Sequence, residues 1–453
     1  MPKTLMWFIL IVLSCLVMLV GILIWIPRLF LTSPSLLEVL NQQTRHHTGY
    51  EGSWMALSLD GWKLSGKGYE GRRVMGPYAS HLRVEDIHVQ IDWRGLFSRR
   101  WSIDRVDVGT VEIEFHPSPT HSHSPATEPE PAPPQTSAAF QALLAPFIPF
   151  HVQVKEIRTA STTLSLHDGS GRNYQIVKIK SHAIRDDSGA WRASLSNGNL
   201  LWPERPAWRL NSGRLQWENN RLDLTESEWL GADAGLIRIT GSLIRELAWS
   251  PDLKLEAKGV PLTALVPPEW ASFSQGTVDG KAIATLQNNR LDIRGHADGN
   301  GVRLIGVPAL RALQHATGLN QWTELALDTT HLTFHYREEQ MHCAPIVLES
   351  PGLFRAEGQM DILPDQTLTG AFNLGIRPNV ASSLPGSKET VFTLEQNGFH
   401  WAQPPIQISG TTSSPREDLS PRLKEALVRA AGEKIQEKVN QGLNLLDSLL
   451  RSE

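Results

Sequence analysis

The feature that most limits what this chain can become is a two-residue rhythm of apolar and polar side chains. Ile87, Val89, Ile91 and Trp93 are apolar, with His88, Gln90 and Asp92 between them. Trp101 and Ile103, then Val106 and Val108, then Val111, Ile113 and Phe115 continue it. Successive side chains of a strand point to opposite faces, so period two predicts an antiparallel sheet with one apolar and one solvated face. The rhythm resumes at His151 and includes Val152 and Val154, Leu164 and Leu166, Leu253 and Leu255, Leu291 and Ile293, and Leu332, Phe334 and Tyr336. Asp168-Gly169, Asp186 to Gly189 and Asn197-Gly198 suit the hairpin turns between such strands. Fifteen tryptophans beside abundant Gly and Pro agree with many strands and many turns.

Two helices flank the alternation. Ser33-Pro34 reads as a cap with proline at the first helical position, and the helix it opens ends near His47 before Gly49. At the far end, Leu423, Leu427, Ala431, Ile435, Val439, Leu443, Leu446 and Leu450 recur at steps of three and four, predicting an amphipathic helix from Pro421 to about Leu450. Its apolar face is expected to pack on the sheet, the alternative being a membrane or partner contact. A shorter helix is expected near Val307–Thr317, closed by Gly318.

From Leu5 to Ile26 an uncharged apolar run of 22 positions is interrupted only by Ser14 and Gly21. At the helical rise it spans roughly 33 Å, about the hydrocarbon thickness of a bilayer. Trp7 and Trp25 stand near its ends, where indoles favour the interface. A cleavable signal peptide would have a shorter apolar core and a small-residue cleavage site, which Ile26-Pro27-Arg28-Leu29-Phe30 lacks. An uncleaved single-pass anchor is expected. Lys3 before it and Arg28 after it leave orientation open.

Chemistry is sparse. The net charge of −4 gives no field for nucleic acid. Cys15 lies in the apolar run and Cys343 far outside it, so no intrachain disulfide is expected. Residues 116–139 carry seven prolines and almost nothing apolar, and read as a disordered or extended insertion; His116, His121 and His123 are part of its solvated character and not a metal site. Gly66-Lys67-Gly68-Tyr69-Glu70-Gly71 matches a dinucleotide fingerprint, but no helical period follows it. His331 and His335 share the polar side of a strand. No nucleophile elbow, zinc-protease helix, phosphate loop or CxxC pair is present. No catalytic residue, cofactor or metal is expected.

After the anchor and short helix come TGYEGSWMALSLDGWKLSGKGY and LRVEDIHVQIDWRGLFSRRWSIDRVDVGTVEIEF, then IPFHVQVKEIRTASTTLSLHDG. LVPPEWASFSQGTVDGKA, GVRLIGVPALRALQHATGL, LESPGLFRAEGQMDILPDQTLTGAFNLGI and ISGTTSSPRED follow in that order. The succession resembles AsmA-like proteins over most of the chain outside the proline insertion. The resemblance implies a bacterial, inner-membrane-anchored, largely periplasmic protein of envelope lipid homeostasis and phospholipid transfer toward the outer membrane. It also supplies the orientation that the charges leave open.

The resulting expectation is a mainly β protein: an N-terminal transmembrane helix, an elongated antiparallel β-groove sheet and a C-terminal amphipathic helix. Its parts are a cytoplasmic tail (1–4), the anchor (5–26), an N-terminal helix and β segment (33–115), the insertion (116–139), the main groove (147–412) and the terminal helix (420–451). An apolar sheet face must be covered, either by packing on itself or by lipid acyl chain. Ile87, Val89, Ile91, Val111, Ile113, Val152, Val154, Leu291 and Ile293 are the expected lipid-facing positions. About 20–25 strands at ~4.8 Å would make a groove on the order of 100 Å long. The expected partners are phospholipid acyl chains, the inner membrane, and envelope or outer-membrane proteins. The alternative of a different class is a structural or assembly factor that binds envelope proteins and carries no lipid. An enzyme ranks below both.

Overall fold

The computed structural model describes residues 34–117 and 151–450, with short breaks at 61–62, 76–77, 93–99, 168–170, 204, 232–234, 246–248, 267, 288–289, 308–309, 312–313, 315–317, 319 and 385. The apolar run 5–26 and the proline stretch from residue 118 onward lie outside the described residues. Among those described, no helix is long and apolar enough to cross a membrane. The protein is mainly β, as the alternation requires. It divides into two units, residues 1–203 with 207–227, and residues 204–206 with 228–453.

The first unit opens with helix α1 (Pro34–Thr48). Pro34 supplies the preset φ of a first turn, and Gly49 ends the helix at φ 73°, its N–H reaching the Arg45 carbonyl at 2.9 Å. The strands that follow are β1 (Glu51–Trp54), β2 (Leu57–Asp60), β3 (Lys63–Met75), β4 (Tyr78–Asp92), β5 (Arg100–Pro117), β6 (His151–Val154), β7 (Glu156–His167), β8 (Asn173–Arg185), β9 (Trp191–Ser196), β10 (Asn199–Leu201) and β11 (Trp208–Glu218). They pair in chain order, β1 and β2 on β3, then β4, β5, β6 with β7, β8, β9 with β10, and β11. Strand β12 (Arg221–Gly231) comes next in the chain.

Three details depart from the sequence expectation. Strand β5 pairs with β6 and β7 in parallel, not antiparallel. Parallel neighbours need a crossover of a dozen or more residues, and residues 118–150 are long enough to carry the chain back to the start of β5. Strand β5 also runs to Pro117, so His116 belongs to the sheet and not to the insertion. Asn197-Gly198 is not a hairpin: β9 and β10 on either side of it both pair with β8 and with β11, so it is a break within one strand line.

That break belongs to a larger feature. The apolar positions of β4 run 82, 84, then 87, 89, 91, changing phase at Asp86, an exposed residue with φ 55°. Opposite it, β5 changes phase at Gly109, where a Cβ would come within 2.7 Å of the Asp86 Cβ. Strand β7 slips between Thr159 and Thr162, β8 at Lys178 with φ 60°, and the next line at Asn197 with φ 62°. Each residue in this left-handed or bulged conformation shifts alternation by one, so that one face stays apolar on both sides of the line.

The second unit contains β13 (Leu236–Arg245), β14 (Trp249–Pro261), β15 (Ser274–Gln287), β16 (Arg290–Ile305), β17 (Glu324–Leu327), β18 (Thr329–Arg337), β19 (Gln340–Ser350), β20 (Phe354–Ile362), β21 (Leu368–Ile376), β22 (Leu394–Gln396), β23 (Phe399–Trp401), β24 (Ile406–Thr411) and β25 (Ser414–Glu417). It is an antiparallel meander, with β17 and β18 both on β16 and with β23 and β24 both on β21. Short helices α2 (Leu262–Leu265), α3 (Pro268–Ala271), α4 (Pro378–Ser382) and α5 (Ser387–Thr390) precede the long α6 (Leu419–Leu450). Trp322, Leu325, Phe354, Ile376, Val380, Phe392, Leu419, Leu423 and Ala426 form one dry cluster.

Among its described side chains, helix α6 packs by its first turns; Val439, Leu443, Leu446 and Leu450 of the expected stripe lie outside them. Leu423 and Ala426 are 3% exposed, and a Cβ on Gly386 would touch Ala430. Ala431 and Ile435, expected on the packed stripe, are exposed, Ile435 at 66%. The cluster that receives the helix ends one turn before them.

Candidate apolar groove

Residues directly opposite in a ladder share a face, so the registers assemble the apolar side row by row. In the first unit one row reads Leu59, Leu64, Val89, Val106, Ile157, Ala183, Ala193 and Leu215. Beyond the line of phase changes another reads Gly71, Leu82, Ile113, Leu164, Ile176, Leu200 and Trp208. Eight strand positions at the usual spacing make the first row about 34 Å wide.

The expected groove residues take these places. Ile87, Val89, Ile91, Val111 and Ile113 lie in the β4–β5 ladder, and Val154 stands beside Ile103, the partner of Ile91. Ile87 and Ile91 are buried, Val89, Val111, Ile113 and Val154 are half-buried, and Val152 is 53% exposed. In the second unit Ile293 is half-buried and Leu291, at the start of β16, is exposed. Burial along this face is uneven, from Ile91 at 4% exposed to Val152 at 53%.

In the second unit the apolar face has a distinct cross-section. Strand β15 contributes Gly280, Ala282 and Ala284, and β16 contributes Gly295, Ala297 and Gly299. Outside them stand Leu253, Leu255 and Ala257 on β14, and Leu332, Phe334 and Tyr336 on β18. The pairs Ala282–Gly295 and Gly280–Ala297 make a low stretch beside Leu255, Leu332 and Phe334, with Ile293 opposite Ala284 and Val278 opposite Gly299 closing it at its two ends. Phe334 leans across it: a Cβ on Gly295 would sit 2.7 Å from the Phe334 Cζ. Toward β19–β21 the face runs under the helices, where Leu348, Phe372 and Leu374 pack on the dry cluster. The sequence reading missed this floor, although Gly280-Ala282-Ala284 and Gly295-Ala297-Gly299 keep period two in small residues.

Cys343 pairs with Phe334 and Met360 in a row of this face and is 1% exposed. Burial, with Asp361 adding to it, pushes its thiol up to about 11, so it is a thiol and not a thiolate at neutral pH.

The opposite face is laced with ion pairs. Asp292 is buried under Arg294 and His335, with His335 Nε2 at 3.0 Å and Arg294 Nε at 3.0 Å. Those hydrogen bonds, His335 first, hold its carboxyl below the ordinary value. Glu156 takes Arg158 at 2.6 Å and His182 on the same oxygen, and is likewise lowered, by Arg158 most. His331 meets Asp298 at 2.7 Å. The expected wet surface for His331 and His335 is therefore a face of carboxylate-paired histidines. Gly66 to Gly71 lies inside β3, so the dinucleotide match has no helix to serve. No family model, curated protein or solved structure matches this chain.

Proposed function

We propose that the apolar face shields phospholipid acyl chains, and that the protein is a non-enzymatic envelope factor for lipid transfer or envelope homeostasis. The single observation that carries this reading is the half-buried apolar face, with its Gly and Ala floor between Leu255 and Phe334. Such a surface is too extensive to be left wet and too shallow for side chains alone to fill. Acyl chains are unbranched and non-directional, and a face made mostly of aliphatic and aromatic side chains suits them. In this reading, residues 5–26 anchor the chain in the bacterial inner membrane, with the bulk of it in the periplasm.

The test is mass spectrometry of the full chain extracted in mild detergent, released intact and then denatured. Co-purified phospholipid at about one or more molecules per chain supports the proposal. Lipid-free protein that instead retains envelope proteins through the same face would replace it with a structural or assembly role.

A further inference from the structure

We propose that Glu114, His116 and His167 form a binding site for a zinc-class divalent ion at the rim where β5 ends. Glu114 and His116 are two residues apart on β5 and share its polar face. His167 ends β7, and because Phe115 stands beside Leu166 in the parallel register, His116 and His167 stand abreast. Their imidazoles stack at 4.3 Å between centroids with planes 5° apart. Glu114 Oε2 is 3.3 Å from His116 Nε2, and one ligand atom from each residue lies within 4.8 Å of the others. Ligands of a tetrahedral zinc ion at its usual bond lengths lie about 3.4 Å apart, and each imidazole lone pair lies in its ring plane, so the two side chains must rotate out of the stack to bring both nitrogens onto one ion.

A second observation points the same way. Asn173 pairs with His167 across β7–β8, and its Oδ1 is buried without a hydrogen-bond partner. A metal-bound imidazole needs an acceptor for its other N–H, and this oxygen is an acceptor beside it in the register. Two imidazoles with one carboxylate select borderline ions such as zinc over calcium or magnesium, which take oxygen sets. His116 is exposed, which gives the ion a way in. The site would clamp the parallel β5–β7 junction at its far end.

The experiment uses the full chain without a histidine tag, stripped of metal and titrated with zinc against a chromophoric chelator. One zinc per chain is expected, with a rise in melting temperature on loading. His167→Gln and Glu114→Gln should each weaken binding by about tenfold or more, while His121→Ala with His123→Ala leaves it unchanged. The metal-free melting temperature of each variant separates ligand loss from misfolding. If one ligand variant fails to fold, the other carries the test. Wild-type affinity equal to that of the ligand variants, or binding that falls with His121 and His123 instead, overturns the site.

Discussion

Val89→Asp discriminates an open groove from a closed core. Val89 sits in the row between Leu64 and Val106 and is half-buried. Full burial of a side chain this size is worth about 1.5–3 kcal/mol, so half-burial forfeits about 1 kcal/mol. A carboxylate there stays within reach of water, which holds the added charge penalty to about the same size. The expected fall in melting temperature is roughly 4–8 °C for a unit of about 200 residues. Val380→Asp is the comparison, because Val380 is 0% exposed inside the dry cluster. An unpaired charge there should cost more than about 4 kcal/mol. Each variant is read on the unfolding transition of its own unit, with bound phospholipid quantified on the same preparation. Folded, lipid-poor Val89→Asp beside unfolded Val380→Asp is the expected pair. Equal destabilisation of the two, or a folded Val89→Asp that keeps its lipid, would refute the reasoning.

Three further outcomes are expected. In a Cys15→Ser chain, Cys343 should resist a thiol reagent at pH 7–8 and react at once in denaturant, since burial pushes its thiol up to about 11; rapid labelling of that chain when native would contradict its burial. Asp292 has a lowered folded value, so its contribution is present above the unfolded carboxylate range near about 4 and is lost as pH falls below it. His335→Gln should therefore show a stability deficit at pH 6 that closes on acidification, and a deficit independent of pH would exclude this linkage. Leu423→Ala should cost about 2–5 kcal/mol through a cavity, whereas Ile435→Ala should change stability by less than about 0.5 kcal/mol, as read by denaturant unfolding.

Much of this was written in local sequence. Pro34 and Gly49 bound the first helix because both act through their own φ. The alternation Val106-Val108, Val111-Ile113-Phe115 even contains the phase change, although read locally it looks like two short strands and not one of 18 residues. Asn197-Gly198 misled for the same reason: its positive φ serves a hairpin or a break equally well, and only the partners on either side decide. Parallel pairing of β5 with β7 was illegible, since alternation carries no strand direction. Residues 378–392 show no period because the small helices there bury Val380 and Phe392 from several sides. The Glu114–His116–His167 cluster was equally hidden, because His167 comes abreast of His116 only through register.

The line of phase changes has a consequence for how such a sheet can vary. Where alternation is regular, gaining or losing one residue turns the rest of that strand inside out and puts charges among the apolar rows. At Asp86, Gly109, Lys178 and Asn197 the reversal has already been absorbed by backbone that accepts an unpaired residue. Deleting any one of them would restore plain alternation and turn the apolar positions beyond it to the polar face, so that level is a crease whose residue count is fixed, and along which the sheet can bend without unpairing a row on either side.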